Sequence, residues 1–187
     1  SKYAWAVQLA GGLALAALGR VSPVGLLGCG ERALDVRPTL SRQRVYLWLH
    51  QLRRHRLDEQ TRLARRVREL AGMAENRCLV IVLSDLHDPD AVDALASLGQ
   101  EHDVVVLQLV DPAERGGLRA GIIRAEEAET GGSFVAFGGG RWLDPELPAA
   151  GLRRGAVDHL ILRTDAPFLP RLRGFLQRRA NLGRGTR

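Results

Sequence analysis

The chain is almost without lysine: of its 27 basic residues only Lys2 is one, and the rest are arginines. It has two cysteines, Cys29 and Cys78, which excludes a disulfide framework. No pair of cysteines or histidines has the spacing of a zinc site. Each cysteine lies in or beside an apolar strand-like run, so both are expected as buried thiols in a reducing compartment. No apolar run reaches the roughly 20 residues that a membrane span requires. The longest, Tyr3–Leu18, is interrupted by Gln8 and by Gly11–Gly12, and no A-x-A-like cleavage site precedes the next strand. It is expected as a helix buried against a sheet, its small residues allowing close approach, and not as a signal peptide. The dinucleotide fingerprint is missing too: Gly25, Gly28 and Gly30 stand in GxxGxG order, not G-x-G-x-x-G. The arginine excess sets the formal net charge at +6, but the arginines are spread along the chain and accompany no nucleic-acid recognition motif. No nucleic-acid partner is expected from them.

What the sequence does have is two short, continuous apolar runs that each end in a carboxylate. Cys78–Leu83 reads as a strand buried on both faces, followed by Ser84 and Asp85. Val104–Val110 reads as a second, followed by Asp111-Pro112. Between them Asp88 as N-cap and Pro89 as first residue open a helix that Gly99 ends. This is a βαβ unit with both carboxylates at one sheet edge, where open α/β sheets bind ligands. Asp85 is therefore the first candidate for chemistry; its bland alternative is a turn cap.

Before this unit the pattern gives a strand in Val24–Gly30 and a short return over Leu34–Thr39. A helix Arg42–Arg54, capped from Thr39 or Ser41, follows. Its apolar side is Val45, Leu47, Leu49 and Leu52, with Trp48 flanking. Asp58 caps a further helix, Glu59–Ala74, with Leu63, Val67 and Leu70 on one face and arginines on the other. The cluster Arg53–Arg56 sits at a helix C-terminus, where it meets the dipole and solvent. After the unit, Gly121–Phe137 reads as an antiparallel hairpin attached to the sheet, turning at Glu129–Gly132. Gly138–Gly155 reads as loop. Val157–Arg163 is a last strand, and Asp165 caps a final helix, Ala166–Arg179, with the stripe Phe168, Leu172, Phe175 and Leu176. The expectation is one α/β domain over residues 1–180, a mostly parallel Rossmann-like sheet with helices on both faces and a small hairpin insertion. Residues 181–187 are expected to fray.

The stretches VGLLGCGE (Val24–Glu31), VIVLSDL (Val80–Leu86), EHDVVVLQLVDPAE (Glu101–Glu114) and LILRTDAPFLPRLRGFLQRR (Leu160–Arg179) together resemble one bacterial family. It is the domain of unknown function fifty-eight, which is similar to the von Willebrand factor type A (vWA) fold. The resemblance implies a metal-ion-dependent adhesion site for Mg²⁺ at the carboxyl edge of the sheet. Asp85 matches its third-loop aspartate, and Thr39, or less well Ser41, its threonine. The D-x-S-x-S motif that supplies most of the ligands is absent from this sequence, so the implied domain is N-terminally incomplete and its metal site degenerate. The missing strand would lie between VGLLGCG and CLVIVL. No cofactor is expected in this chain unless that motif is supplied.

The function implied by the resemblance is a non-enzymatic protein-interaction module that works with a MoxR-type AAA+ ATPase in assembly or maturation of a client. Its expected place is the cytoplasm or, through segments absent from this chain, the inner face of the membrane. Two alternatives stay open. One is a hydrolase using Asp85, His87 and Asp111, although no nucleophile stands beside a base. The other is an arginine-driven binder of nucleic acid or anionic lipid, which salt dependence would reveal.

Overall fold

A computed structural model describes residues 1–32, 34–55, 59–112, 122–126, 133–137 and 146–182. Helix α1 (Lys2–Gly19) leads into strands β1 (Val24–Leu27) and β2 (Asp35–Thr39), then helices α2 (Arg42–Arg53) and α3 (Leu63–Met73). The βαβ unit follows as β3 (Leu79–Ser84), α4 (Ala91–Glu101) and β4 (Asp103–Val110). Strands β5 (Ile122–Glu126) and β6 (Ser133–Phe137), helix α5 (Leu147–Arg154), strand β7 (Asp158–Arg163) and helix α6 (Leu169–Asn181) complete the chain. The main sheet is parallel, in the order β3-β4-β7.

β4 is the spine, and it is buried on both faces because its side chains alternate between two cores. Val104 and Val106 join Val82, Leu95, Leu98 and Leu152 beneath α3, α4 and α5. Val105, Leu107 and Leu109 join Leu9 of α1 and Leu172 and Phe175 of α6 on the other face. A third core, Ala14, Leu18, Val45 and Trp48, ties α1 to α2. The α/β architecture with helices on both faces is as the sequence indicates.

Several local expectations are corrected. β3 is not buried on both faces: only Val82 is buried and Leu79 is half exposed, because β4 is its one ladder partner among the described residues. β1 pairs antiparallel with β2, the hairpin-type return that the sequence indicates, and the pair forms a sheet of its own. The hairpin β5-β6 likewise forms its own two-stranded sheet and does not extend the main one; its turn lies outside the described residues. In α2, Trp48 is in the core and Leu47 is on the surface. The 3.6-residue period sets 45, 48, 49 and 52 on one line and leaves 47 off it.

α3 begins at Leu63, not Glu59, and Asp58 lies outside the described residues. Asp88 does not cap its own helix; Asp90 holds the N-cap position of α4 without a side-chain bond. The Asp88 carboxylate accepts twice: Oδ1 from the Asp90 N–H at 3.1 Å in the turn that leads into α4, and Oδ2 from the Ala64 N–H in the first turn of α3 at 2.8 Å, so a cap is also supplied across the fold. Gly99 does not end α4. It lies inside the helix, where a Cβ would stand 2.2 Å from the Gly155 carbonyl oxygen. Gly155 in turn abuts Ala96. These two glycines let α4 and the end of α5 meet backbone to backbone. The stretch read as loop contains α5, because Pro148 sits in the first turn, where its missing N–H costs nothing. Asp165 pairs with Arg163 and does not cap α6, which runs from Leu169 to Asn181. Cys78 is exposed, not buried.

Candidate functional site

The carboxyl end of β3 is a tightly built turn. Ser84 Oγ accepts from the Leu86 N–H at 3.0 Å, and Asp85 Oδ1 accepts from the His87 N–H at 3.4 Å. Between them Leu86 takes the left-handed conformation, φ 60°, with its side chain buried. For a branched L-residue that costs on the order of 1–2 kcal/mol. It persists only because the leucine is anchored in the core, and such strain concentrates where a chain presents functional groups.

A buried polar relay holds this turn from below. Gln108, the one polar residue within β4 after Asp103, is buried, and its Nε2 donates to the Asp85 carbonyl at 3.3 Å. With the amide nitrogen so engaged, Gln108 Oε1 must accept. His159 Nε2 lies 2.8 Å from it and therefore carries the hydrogen. Burial lowers the His159 pKa, against a smaller opposing effect of Glu146. Three adjacent strands, β3, β4 and β7, are thus tied together beneath Asp85.

The Asp85 carboxylate itself faces cations. Lys2 Nζ, from the first turn of α1, donates to Oδ2 at 2.7 Å, and His87 Nδ1 lies 3.4 Å from the same oxygen. Burial would raise the Asp85 pKa, but the Lys2 hydrogen bond and the His87 and Lys2 charges outweigh it and hold the carboxyl below its usual range. The Lys2, Asp85 and His87 side chains keep 23%, 28% and 42% of their surface in solvent, so a partner can reach all three.

Thr39 and Ser41 make their described side-chain bonds elsewhere, at the start of α2. Thr39 ends β2 opposite Val24, and its hydroxyl accepts from the Ser41 N–H at 3.1 Å. Ser41 is the N-cap of α2, its Oγ accepting from Arg44 N–H. Asp111 follows β4 at the same edge as Asp85, since β3 and β4 run in parallel with Ser84 beside Gln108. Among the described residues no group of three or more His, Cys, Asp or Glu side chains is placed to hold a metal ion. The donor set at Asp85 does not fit Mg²⁺, a hard cation that takes oxygen ligands: the carboxylate is engaged by an ammonium and an imidazole.

The sequence reading missed Lys2, Gln108 and His159. Gln108 was detectable, because a lone polar residue in a run buried on both faces must find a partner. Nothing in the sequence pointed to Lys2, which lies 83 residues from Asp85.

One further pair resembles catalytic machinery. Cys78 Sγ lies 3.7 Å from His102 Nδ1, which also accepts from the Cys78 N–H. Burial raises the Cys78 pKa, and His102 Nε2 is buried without a partner among the described residues. A thiol whose pKa is raised is a poor nucleophile, so the pair does not make an activated cysteine.

Residues 1–137 match the family described as "Protein of unknown function DUF58". The chain belongs to the DUF58 family. No curated protein and no solved structure matches it. The DUF58 match takes in α1, the Asp85 turn and Gln108, and ends before His159 of β7. Among the described residues no helix is long and apolar enough to cross a membrane.

Proposed function

We propose that this DUF58 chain is a vWA-like, non-enzymatic protein-interaction module. In this reading it works with a MoxR-type AAA+ ATPase in assembly or maturation of a client complex, on the cytoplasmic side or at the inner face of the membrane. The observation that carries the proposal is the strained, braced turn at Ser84–His87. It presents one carboxylate flanked by two nitrogen bases at the edge where parallel sheets receive ligands. A braced charged platform suits recognition. The hydrolase reading, built on Asp85, His87 and Asp111, is favoured less: Asp85 is paired with Lys2 and His87, and no hydroxyl or thiol is hydrogen-bonded to His87 among the described residues. The degenerate metal site is part of the proposal: Asp85 meets its partner directly through hydrogen bonds and charge. The experiment is a binding titration of the chain against the MoxR-type ATPase encoded by the same genome. Saturable binding, weakened at least about tenfold by Asp85→Ala, supports the proposal; on the affinity scale that is about 1.4 kcal/mol. Absence of binding, or binding indifferent to Asp85, contradicts it.

A further inference from the structure

Arginine is used in two ways on neighbouring helices. On α3 it is consumed internally: Arg62 meets Glu31 at 2.6 Å, Arg65 meets Glu69 at 2.8 Å, and Arg66 pairs with both Asp35 and Glu69. On α2 it is not. Arg42–Arg53 contains no acidic residue, and Arg42, Arg44, Arg53 and Arg54 are exposed and have no ion pair among the described residues. Between these arginines Tyr46 and Leu47 stand 56% and 64% exposed, and Leu40, just before the helix, 54%. The helical period sets Arg42, Tyr46 and Arg53 along one line and Leu47 with Arg54 along the next. The opposite side of α2 is fixed by Val45 and Trp48, which are fully packed against α1. The outward face is therefore rigidly presented.

We propose that this face of α2 docks an acidic, apolar-containing segment of a protein partner. Charge complementarity selects the acid, since guanidinium forks bind carboxylates two bonds at a time. Tyrosine, arginine and an exposed leucine together are the composition of a protein interface. A lipid surface fits less well, because an interfacial helix needs an apolar face and that of α2 is already used inward. A phosphate backbone would leave Leu47 without a role. The inference rests on the interaction-module reading and adds the chemistry of the partner, but it involves a different surface from Asp85.

The test is a fluorescence titration of the full chain with a labelled peptide of glutamates and leucines at helical spacing. Polyglutamate, a single-stranded oligonucleotide and phosphatidylserine vesicles are titrated in parallel. The expected result is saturable binding of the glutamate–leucine peptide. It falls at least about tenfold in Arg42→Glu/Arg53→Glu and about threefold in Leu47→Ser. It is unchanged in Arg171→Glu/Arg173→Glu, the same charge change on exposed arginines of α6. If the reversal lowers the melting temperature, Arg42→Gln/Arg53→Gln takes its place. Four outcomes overturn the inference: no binding; equal loss in the α2 and α6 variants; no dependence on Leu47; or tighter binding of the oligonucleotide or vesicles through the same arginines. None of them bears on the Asp85 titration, so the two proposals fail separately.

Discussion

The two ends of the one parallel sheet treat charge in opposite ways. At the amino edge, Arg179 of α6 is buried and its guanidinium spans Asp158 at the start of β7 and Asp103 at the start of β4, at 2.8 and 2.6 Å. Beside it His102 is buried against the exposed Cys78 thiol. At the carboxyl edge, the Asp85–Lys2 pair keeps about a quarter of its surface in solvent and His87 about two-fifths, on a turn whose backbone is strained at Leu86, whereas the Arg179 guanidinium is buried. The amino edge uses its charges to lock a helix onto the sheet. The carboxyl edge leaves its charges within reach of another molecule. The lesson is that an ion pair says little by itself: burial and the number of strands it joins decide whether it belongs to the fold or to a surface.

The comparison breaks most visibly at Arg179. Arg179→Ala removes a buried guanidinium from between two carboxylates, each about one-fifth exposed. The expected loss is about 3 kcal/mol, the low end for a broken buried pair. That corresponds to a drop of about 6–12 °C in a thermal melt of a domain this size. Adding Asp103→Asn and Asp158→Asn should recover part of the loss, because the cost lies in the two carboxylate charges.

Gln108→Leu comes next. It keeps the volume but strands the His159 N–H and the Asp85 carbonyl. The expected cost is about 1–3 kcal/mol, read by denaturant titration. If the variant is as stable as the parent, the relay does not brace the turn.

His159 gives a smaller, pH-dependent effect. Its folded pKa is lowered, mainly by burial, so the unfolded chain binds the proton more readily. Stability should therefore fall as pH drops below the ordinary histidine value near about 6.5. His159→Gln should flatten that part of the melting-temperature profile between pH 7.5 and 5.5. The Asp85 contribution has the opposite origin, a carboxyl held low by Lys2 and His87. It is present above the ordinary carboxylate pKa and is lost only in more acid solution, below about pH 4, so the two windows separate. The smallest expected effect is that of Mg²⁺. Calorimetry on the chain should show no binding tighter than about 100 µM, since such affinity needs several oxygens held in place. A tighter constant would show that Asp85 gathers ligands despite Lys2.

Much of this fold was legible. The run Val104–Val110 gave the central strand, because seven residues with no exposed partner can only be buried on both faces. Tyr3–Leu18 was legible as a helix packed on the sheet, where Leu9 meets Val105 and Leu107; that Gly11 lies under Leu49 of α2 was not. What escaped depended on neighbours distant in sequence. Cys78–Leu83 has the composition of a central strand but lies at an edge of the described sheet. Asp88 has the spacing of a local cap, and besides its bond in the turn before α4 it also caps α3. Pro148 and Gly151 looked like loop because their helical roles, a first-turn proline and a glycine under Val92, depend on packing. At the candidate site the carboxylate was readable and its counter-ion was not, since a helix start has no local signal for the strand end it will meet.

The sharpest test is one variant read two ways. Asp85→Ala should leave the melting temperature within a few degrees of the parent, because both partners of the Lys2–Asp85 pair reach solvent and such a pair contributes about 1 kcal/mol or less. The same protein should lose at least about tenfold in affinity for the MoxR-type ATPase. A large drop in melting temperature with binding intact would make Asp85 a structural cap and put the carboxyl edge in the same class as the amino edge.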